Sequence, residues 1–214
     1  MKIGIIGSGA VGQTLAKAFK AEGHEVMVGT RDTSKESLNA FSEENKIATG
    51  TFEDTAGFGE LLVLCTKGDG AANALSIAKD ENLASKVIID TTNPIAALPP
   101  ENGVLHYTAT LEKSLMESLQ QEFPNAKFVK AFNSVGNSLM YKPSFAGVKP
   151  SMFICGNDAN AKEIVTNILT SFGWETEDMG LATAARAIEP LCMLWCIPGF
   201  LRNQWGHAFK LLKP

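Results

Sequence analysis

Histidine is scarce in this 214-residue chain, with three in all, and cysteine hardly more common, with four. His24, His106 and His207 have neither metal-ligand nor catalytic-triad spacing, which argues against metal-assisted hydrolysis and Ser-His chemistry. His24 follows Gly23 at a predicted helix end, His106 follows Pro99-Pro100 in a predicted loop, and His207 belongs to the tail. Of the cysteines, Cys65 and Cys155 fall in predicted buried strands. Cys192 and Cys196 have helical spacing rather than C-x-x-C, so all four read as reduced core thiols. Basic residues are not in excess: 19 Lys and Arg face 23 Asp and Glu, a net charge of -4, which excludes the basic stripe of a nucleic-acid binder. No uninterrupted apolar run reaches the length of a membrane span. The first twenty residues resemble a secretory leader only superficially, because glycines and Gln13 interrupt the apolar stretch and no cleavage site follows. A cytoplasmic location is the expectation. Repeats, low-complexity tracts and linkers are absent, and 45% hydrophobic residues against 20% charged exclude disorder.

What is present is alternation. Short apolar runs take turns with helical patterns, the mark of a parallel sheet covered by helices. Strands are expected over Lys2–Gly7, Glu25–Gly29, Leu61–Cys65, Lys86–Asp90, Ala126–Ala131, Ser151–Cys155 and Trp174–Glu177. Helices are expected over Ala10–Glu22, Ala71–Lys79, Leu111–Gln121 and Ala159–Phe172, with one more opened by Thr33 and Glu36 as a capping box. The tail, Leu181–Pro214, reads as helical and aromatic. The fold class is therefore α/β, a Rossmann-type, doubly wound, mostly parallel sheet with a short helical C-terminal extension. Residues 1–150 read as the dinucleotide-binding core, and 151–214 as a βαβ continuation and tail within the same unit.

Gly7-Ser8-Gly9-Ala10-Val11-Gly12 lies directly between the first strand and the first helix. In that context G-x-G-x-x-G is a strong signal for a dinucleotide: Gly7 for the tight turn, Gly9 for approach of a pyrophosphate, Gly12 for close helix packing. The alternative is a glycine-rich turn that binds nothing. The second strand ends Gly29-Thr30-Arg31, with no carboxylate where NAD-binding versions accept the ribose 2′-hydroxyl. Thr30 and Arg31 suit a 2′-phosphate instead. Asp32 lies past the strand end, where it serves the turn, and NADP(H) is the expected cofactor.

These residues, with Val63-Leu-Cys-Thr66, Asp90-Thr-Thr-Asn-Pro94, Lys130-Ala-Phe-Asn-Ser-Val-Gly136, Phe153-Ile-Cys-Gly-Asn-Asp158, Asp178-Met-Gly180, Ala185-Arg186 and Glu189-Pro-Leu191, resemble the NADP oxidoreductases dependent on the deazaflavin coenzyme F420. The chain is also similar to the NADPH-oxidising domain of six-transmembrane metalloreductases. The resemblance implies that Ser8 to Gly12 hold the pyrophosphate, and Thr30 with Arg31 the 2′-phosphate. Thr66, Thr91, Asn93 and Pro94 would flank the nicotinamide, with Asn93 and Asn133 positioning rings. Deazaflavin enzymes often carry His where Asn133 stands, whereas metalloreductase-like members share the Ala-Phe-Asn run. That departure tilts the acceptor towards FMN or FAD and away from F420.

Hydride transfer between a nicotinamide and a flavin-type ring is chiefly a matter of orientation, consistent with a chain that offers no activated nucleophile. The tail concentrates Trp195 and Trp205, which suits either an acceptor platform or a homodimer interface. Two rivals stand beside this reading: a small carbonyl or imine reductase, which needs a larger helical domain than the sixty or so residues after the core supply, and a non-catalytic NADPH sensor.

Overall fold

Where four apolar residues follow one another, a strand needs cover on both faces, and such segments form the centre of the sheet. The computed structural model describes residues 1–214. In chain order it contains β1 Lys2–Ile6, α1 Ala10–Ala21, β2 Glu25–Thr30, α2 Glu36–Asn45, β3 Ala48–Thr51, α3 Phe52–Phe58, β4 Leu61–Leu64, α4 Ala71–Ala78, α5 Asp80–Leu83, β5 Val87–Asp90, α6 Leu115–Glu122, β6 Lys127–Lys130, β7 Ser151–Gly156, α7 Ala159–Ser171, β8 Glu175–Asp178 and α8 Ala185–Arg202. The eight strands form one sheet in the order β3-β2-β1-β4-β5-β6-β7-β8. All neighbours are parallel except β6 and β7, which pair Lys130 with Cys155 in antiparallel fashion. The first six strands follow the order 3-2-1-4-5-6 of a doubly wound dinucleotide fold, whose switch point lies between β1 and β4.

Side chains alternate between two cores. Leu61 and Val63 join Ile3, Ile5, Leu15 and Phe19 on one face, while Leu62 and Leu64 join Ile88, Phe128, Leu75 and Met116 on the other. The two-residue period of a strand dictates this division.

The structure departs from the sequence reading in several places. Residues 48–58, unassigned from sequence, form β3 and α3. Here the chain reads ATGT before the helix, a polar edge strand without an apolar run. The Thr33–Glu36 capping box is not formed: Lys35 stands at the N-cap of α2 with no side-chain bond. Asp32 instead accepts from Ser34 N at 3.0 Å and Ser34 Oγ at 2.6 Å, so a local turn consumes the segment. Reciprocal boxes occur at Thr51–Asp54 and Ser114–Glu117. The latter starts α6 at Leu115 rather than at Leu111.

The tail is helical only to Arg202. Asn203 takes a left-handed conformation, φ 52°, and stops α8. The remaining chain folds back along β7, with Ser151 N donating to Phe209 O at 2.9 Å and Leu211 N to Ser151 Oγ at 3.1 Å. Finally, residues 182–202, at a mean hydropathy of 1.3, are long and apolar enough to cross a membrane by length and composition. A search for uninterrupted apolar residues misses this segment because Arg186 and Glu189 divide it. Glu189 is buried and ion-paired within the protein.

Candidate functional site

The site begins with the turn from β1 into α1. Gly7 has φ +128°, and a Cβ there would lie 2.8 Å from the Cys65 backbone, so no larger residue fits. A Cβ on Gly12 would lie 1.9 Å from Gly7 O; the helix sits flush on the turn. Gly9 is different, with no atom within 4 Å of its missing Cβ. It is the N-cap of α1, with no side-chain cap and no acidic residue in the first turn. The amides at this helix start are left without partners from the side chains, at the positive end of the helix dipole. Gln13 Nε2 donates to Ser8 O at 3.0 Å and Ser8 Oγ to Thr30 Oγ1 at 3.2 Å, tying the turn to the end of β2.

From this turn a trough crosses the carboxyl ends of β2, β1, β4 and β5. Its outer part, about 670 Å³, is lined by Gly7, Ser8, Gly9, Thr30, Arg31 and Lys35 among others. Its inner part, about 310 Å³, is lined by Val11, Thr91, Thr92, Asn93 and Ile95. Cys65, Thr66, Lys67 and Asp69 border both. Arg31 and Lys35 are exposed at the outer end, and Asp32 is absent from that wall, its carboxylate held below its usual range by the Ser34 hydrogen bonds. On the floor the Thr66 hydroxyl is buried without a partner. Burial pushes the Cys65 thiol up to about 12, so it is no nucleophile at neutral pH.

At the inner end the hydrogen bonds run mostly inward. Thr91 Oγ1 donates to Leu64 O at 2.9 Å. Asn93 Nδ2 donates to Asn133 O at 2.8 Å, while Asn133 Nδ2 donates to Asn93 Oδ1 at 3.1 Å and to Ile188 O at 3.0 Å. Only Asn93 of this pair reaches the trough; Asn133 is buried behind it, clasping the end of β5 to α8. The backbone aims Asn133 there, because the buried Phe132 before it holds φ 62°, an uncommon conformation for a bulky residue that costs about 1–2 kcal/mol. Pro94 is buried and borders a separate surface depression with Thr108 and Lys113. Ala10 and Gly12 belong to the helix side of the turn and not to the wall. The structure thus brings Gly7 to Gly9, Val11, Thr30, Arg31, Thr66, Thr91 and Asn93 to one trough and leaves Asn133 and Pro94 outside it.

Sequence reasoning missed the charges around and beneath this trough. Lys35, Lys67 and Asp69 are on its wall. Beneath the inner end lies a buried triad: Lys130 Nζ is 2.7 Å from Asp90 Oδ2, 3.0 Å from Glu189 Oε1, and donates to Thr92 O at 2.8 Å. Glu189 also accepts from the Leu115 and Met116 amides, both at 3.0 Å. Burial opposes the Lys130 charge, but Asp90 and Glu189 outweigh it and raise the ammonium pKa. The available signal was a charged residue at the carboxyl end of two neighbouring strands, Asp90 closing VIID and Lys130 closing KFVK.

The tail aromatics are partly spent inside the protein. Trp195 is buried, donates from Nε1 to His207 O at 2.7 Å, and lies against Gly136. Trp205 packs over Gly199 and remains exposed on its other side. His106 does not border the trough. No group of three or more His, Cys, Asp and Glu side chains is arranged to hold a metal ion.

Residues 2–94 match the model of the family described as NADP oxidoreductase, coenzyme F420-dependent. Across its whole length the chain superimposes on the crystal structure of a protein assigned as an F420-dependent NADP reductase from Arthrobacter sp. FB24, with 35% identity, 100% of both chains covered and a TM-score of 0.93. The chain belongs to the F420-dependent NADP oxidoreductase family. As an NADP oxidoreductase of this family it is also similar to the F420-dependent NADP reductase of Methanothermobacter thermautotrophicus, 26% identical over 91% of this chain and 87% of that one. It is 29% identical to the metalloreductase STEAP3 of Rattus norvegicus over 94% of this chain, and spans 39% of that protein's length. An imine reductase of Streptomyces aurantiacus, 17% identical with a TM-score of 0.67 over 94% of this chain and 63% of its own, shares the fold.

Proposed function

We propose that this oxidoreductase holds NADP(H) along the trough and exchanges hydride with a flavin-type acceptor, a deazaflavin or a flavin, entering at the inner end. The observation that carries the reading is the outer end itself. An open glycine at an uncapped helix start stands beside Arg31 and Lys35, and Asp32, the carboxylate that follows Arg31 in the chain, is turned into its own loop. The residues fit the cofactor. The space at Gly9 admits a pyrophosphate onto the α1 amides, the guanidinium fork of Arg31 matches a phosphate dianion, and the orphaned Thr66 hydroxyl lacks a partner that a bound cofactor would provide.

When bound, NADP(H) supplies a hydride and the acceptor ring takes it. The chain supplies position. Thr91 and Asn93 are themselves locked by Leu64 O and Asn133, so the wall facing the ring is rigid before anything binds, the condition under which orientation contributes most to rate. Ring-to-ring transfer asks nothing more of the protein, because a reduced ring spreads its charge and can take the balancing proton from solvent. A carbonyl or imine substrate would need a proton delivered by the site, and on this wall Lys67 and Asp69 are the groups placed to give one. We propose further that the exposed apolar side chains Leu194, Phe200, Leu201 and Trp205 form the face on which a second copy of the chain docks.

The deciding experiment is NADPH oxidation with F420, FMN, FAD, a ferric chelate and small ketones, for the wild type and Lys67→Met. Turnover with F420 or a flavin in both proteins supports the proposal. Turnover only with ketones, abolished in Lys67→Met, moves the assignment to a carbonyl reductase. Tight NADPH binding with no turnover makes the protein a sensor.

A further inference from the structure

The inner end of the trough is backed by charge that the function proposed above does not use. Thr92 lines the cavity; directly behind it, its carbonyl receives Lys130 Nζ, and its amide and hydroxyl donate to Asp90 Oδ1 at 2.9 and 2.6 Å. Glu189 completes the group from α8. Two carboxylates and one ammonium leave a net single negative charge, and the three side chains are 0–2% exposed. Salt cannot reach them, and each is fixed by several bonds, so their field is both unscreened and oriented in advance.

We infer that the Asp90–Lys130–Glu189 triad tunes the redox preference of the site, its negative charge favouring the cationic ring of oxidised nicotinamide over the neutral reduced ring. The inference rests on the reading that the nicotinamide occupies the inner trough. These are positioning residues in an electrostatic sense: they act through the wall and touch neither ring. A triad that served only to brace β5, β6, α6 and α8 would weaken both forms of the cofactor together when disturbed. One that tunes the site changes their ratio. Lys67 and Asp69, the charged side chains on the inner wall, stay the same throughout the series below.

The test compares dissociation constants for NADP+ and NADPH, by calorimetry or fluorescence, in the wild type, Glu189→Gln and Asp90→Asn, with folding checked by circular dichroism. Neutralising either carboxylate is expected to raise the ratio Kd(NADP+)/Kd(NADPH) about five- to tenfold; a tenfold change equals about 30 mV for a two-electron couple. An unchanged or lowered ratio in folded variants overturns the inference. Should neither variant fold, the wild type decides: a ratio above about ten is incompatible with a buried negative charge behind the ring, and a smaller one supports it. Failure of the wild type to bind either form refutes the cofactor reading instead.

Discussion

Arg31→Ala is the sharpest perturbation of the outer trough. Arg31 is exposed beside Thr30, whose hydroxyl is held by Ser8, and its removal disturbs no packing. A charge-assisted hydrogen bond contributes about 1.5–3 kcal/mol. Solvent exposure and the remaining Lys35 charge on the same wall place the expected loss at the lower end, about 1.5 kcal/mol, or roughly tenfold in Kd. Because the guanidinium is assigned to the 2′-phosphate alone, NADH binding should change by less than about twofold. Adding Lys35→Ala should deepen the NADPH loss and again spare NADH. Titration of intrinsic or cofactor fluorescence with both nucleotides measures this directly. Equal losses for NADPH and NADH would show that Arg31 grips a part common to the two, and the reasoning from the missing carboxylate would be wrong.

Three further outcomes follow from the geometry. Gly12→Ala drives a methyl group into Gly7 O and should cost about 1–3 kcal/mol, lowering Tm by several degrees at roughly 2–4 °C per kcal/mol for a chain of this size; an unchanged melting curve would contradict the close approach. Glu117 is held down to about 2 by its bond to Arg186, assisted by Ser114. Its folded pKa lies below the unfolded one, so this contribution is complete above about pH 4.5 and fades as pH falls towards 2; Arg186→Gln should flatten that acid limb in urea midpoints taken at pH 5 and pH 3, and an unaltered limb would refute the assignment. Among the thiols, Cys196 is half-buried and lowered by its hydrogen bond with Cys192, whereas burial pushes Cys65 and Cys155 up to about 12. Brief iodoacetamide treatment near pH 8 should therefore label Cys196 first by peptide mass spectrometry, and early labelling of Cys65 would contradict its burial.

Most of the sheet was legible because its central strands are continuous apolar runs, and the phosphate-binding turn because three glycines have distinct steric tasks there. β3 escaped notice because an edge strand needs no apolar face, although Thr51 and Asp54 already wrote the cap of the helix after it. The tail misled for a local reason: its aromatics continue past Arg202, but Asn203 stops the helix and sends the chain back to Ser151. The triad was hidden for a physical one. Burial of charge runs against the sorting of apolar residues inward, and Asp90, Lys130 and Glu189 are brought together only by the sheet order and by α8. Asn133 shows the limit of reading a motif as a row of equivalent contacts. Its neighbour Asn93 faces the trough, while the φ of Phe132 turns Asn133 into the wall as the support for Asn93.

The measurement that bears most directly on the central claim is the loss of NADPH absorbance when the purified protein is mixed with F420 or FMN, followed under single-turnover conditions. Hydride passing along the trough predicts that NADPH disappears in step with reduction of the acceptor, with Arg31→Ala slowed at subsaturating NADPH and restored at saturation. NADPH bound tightly but unconsumed with either acceptor would contradict the claim.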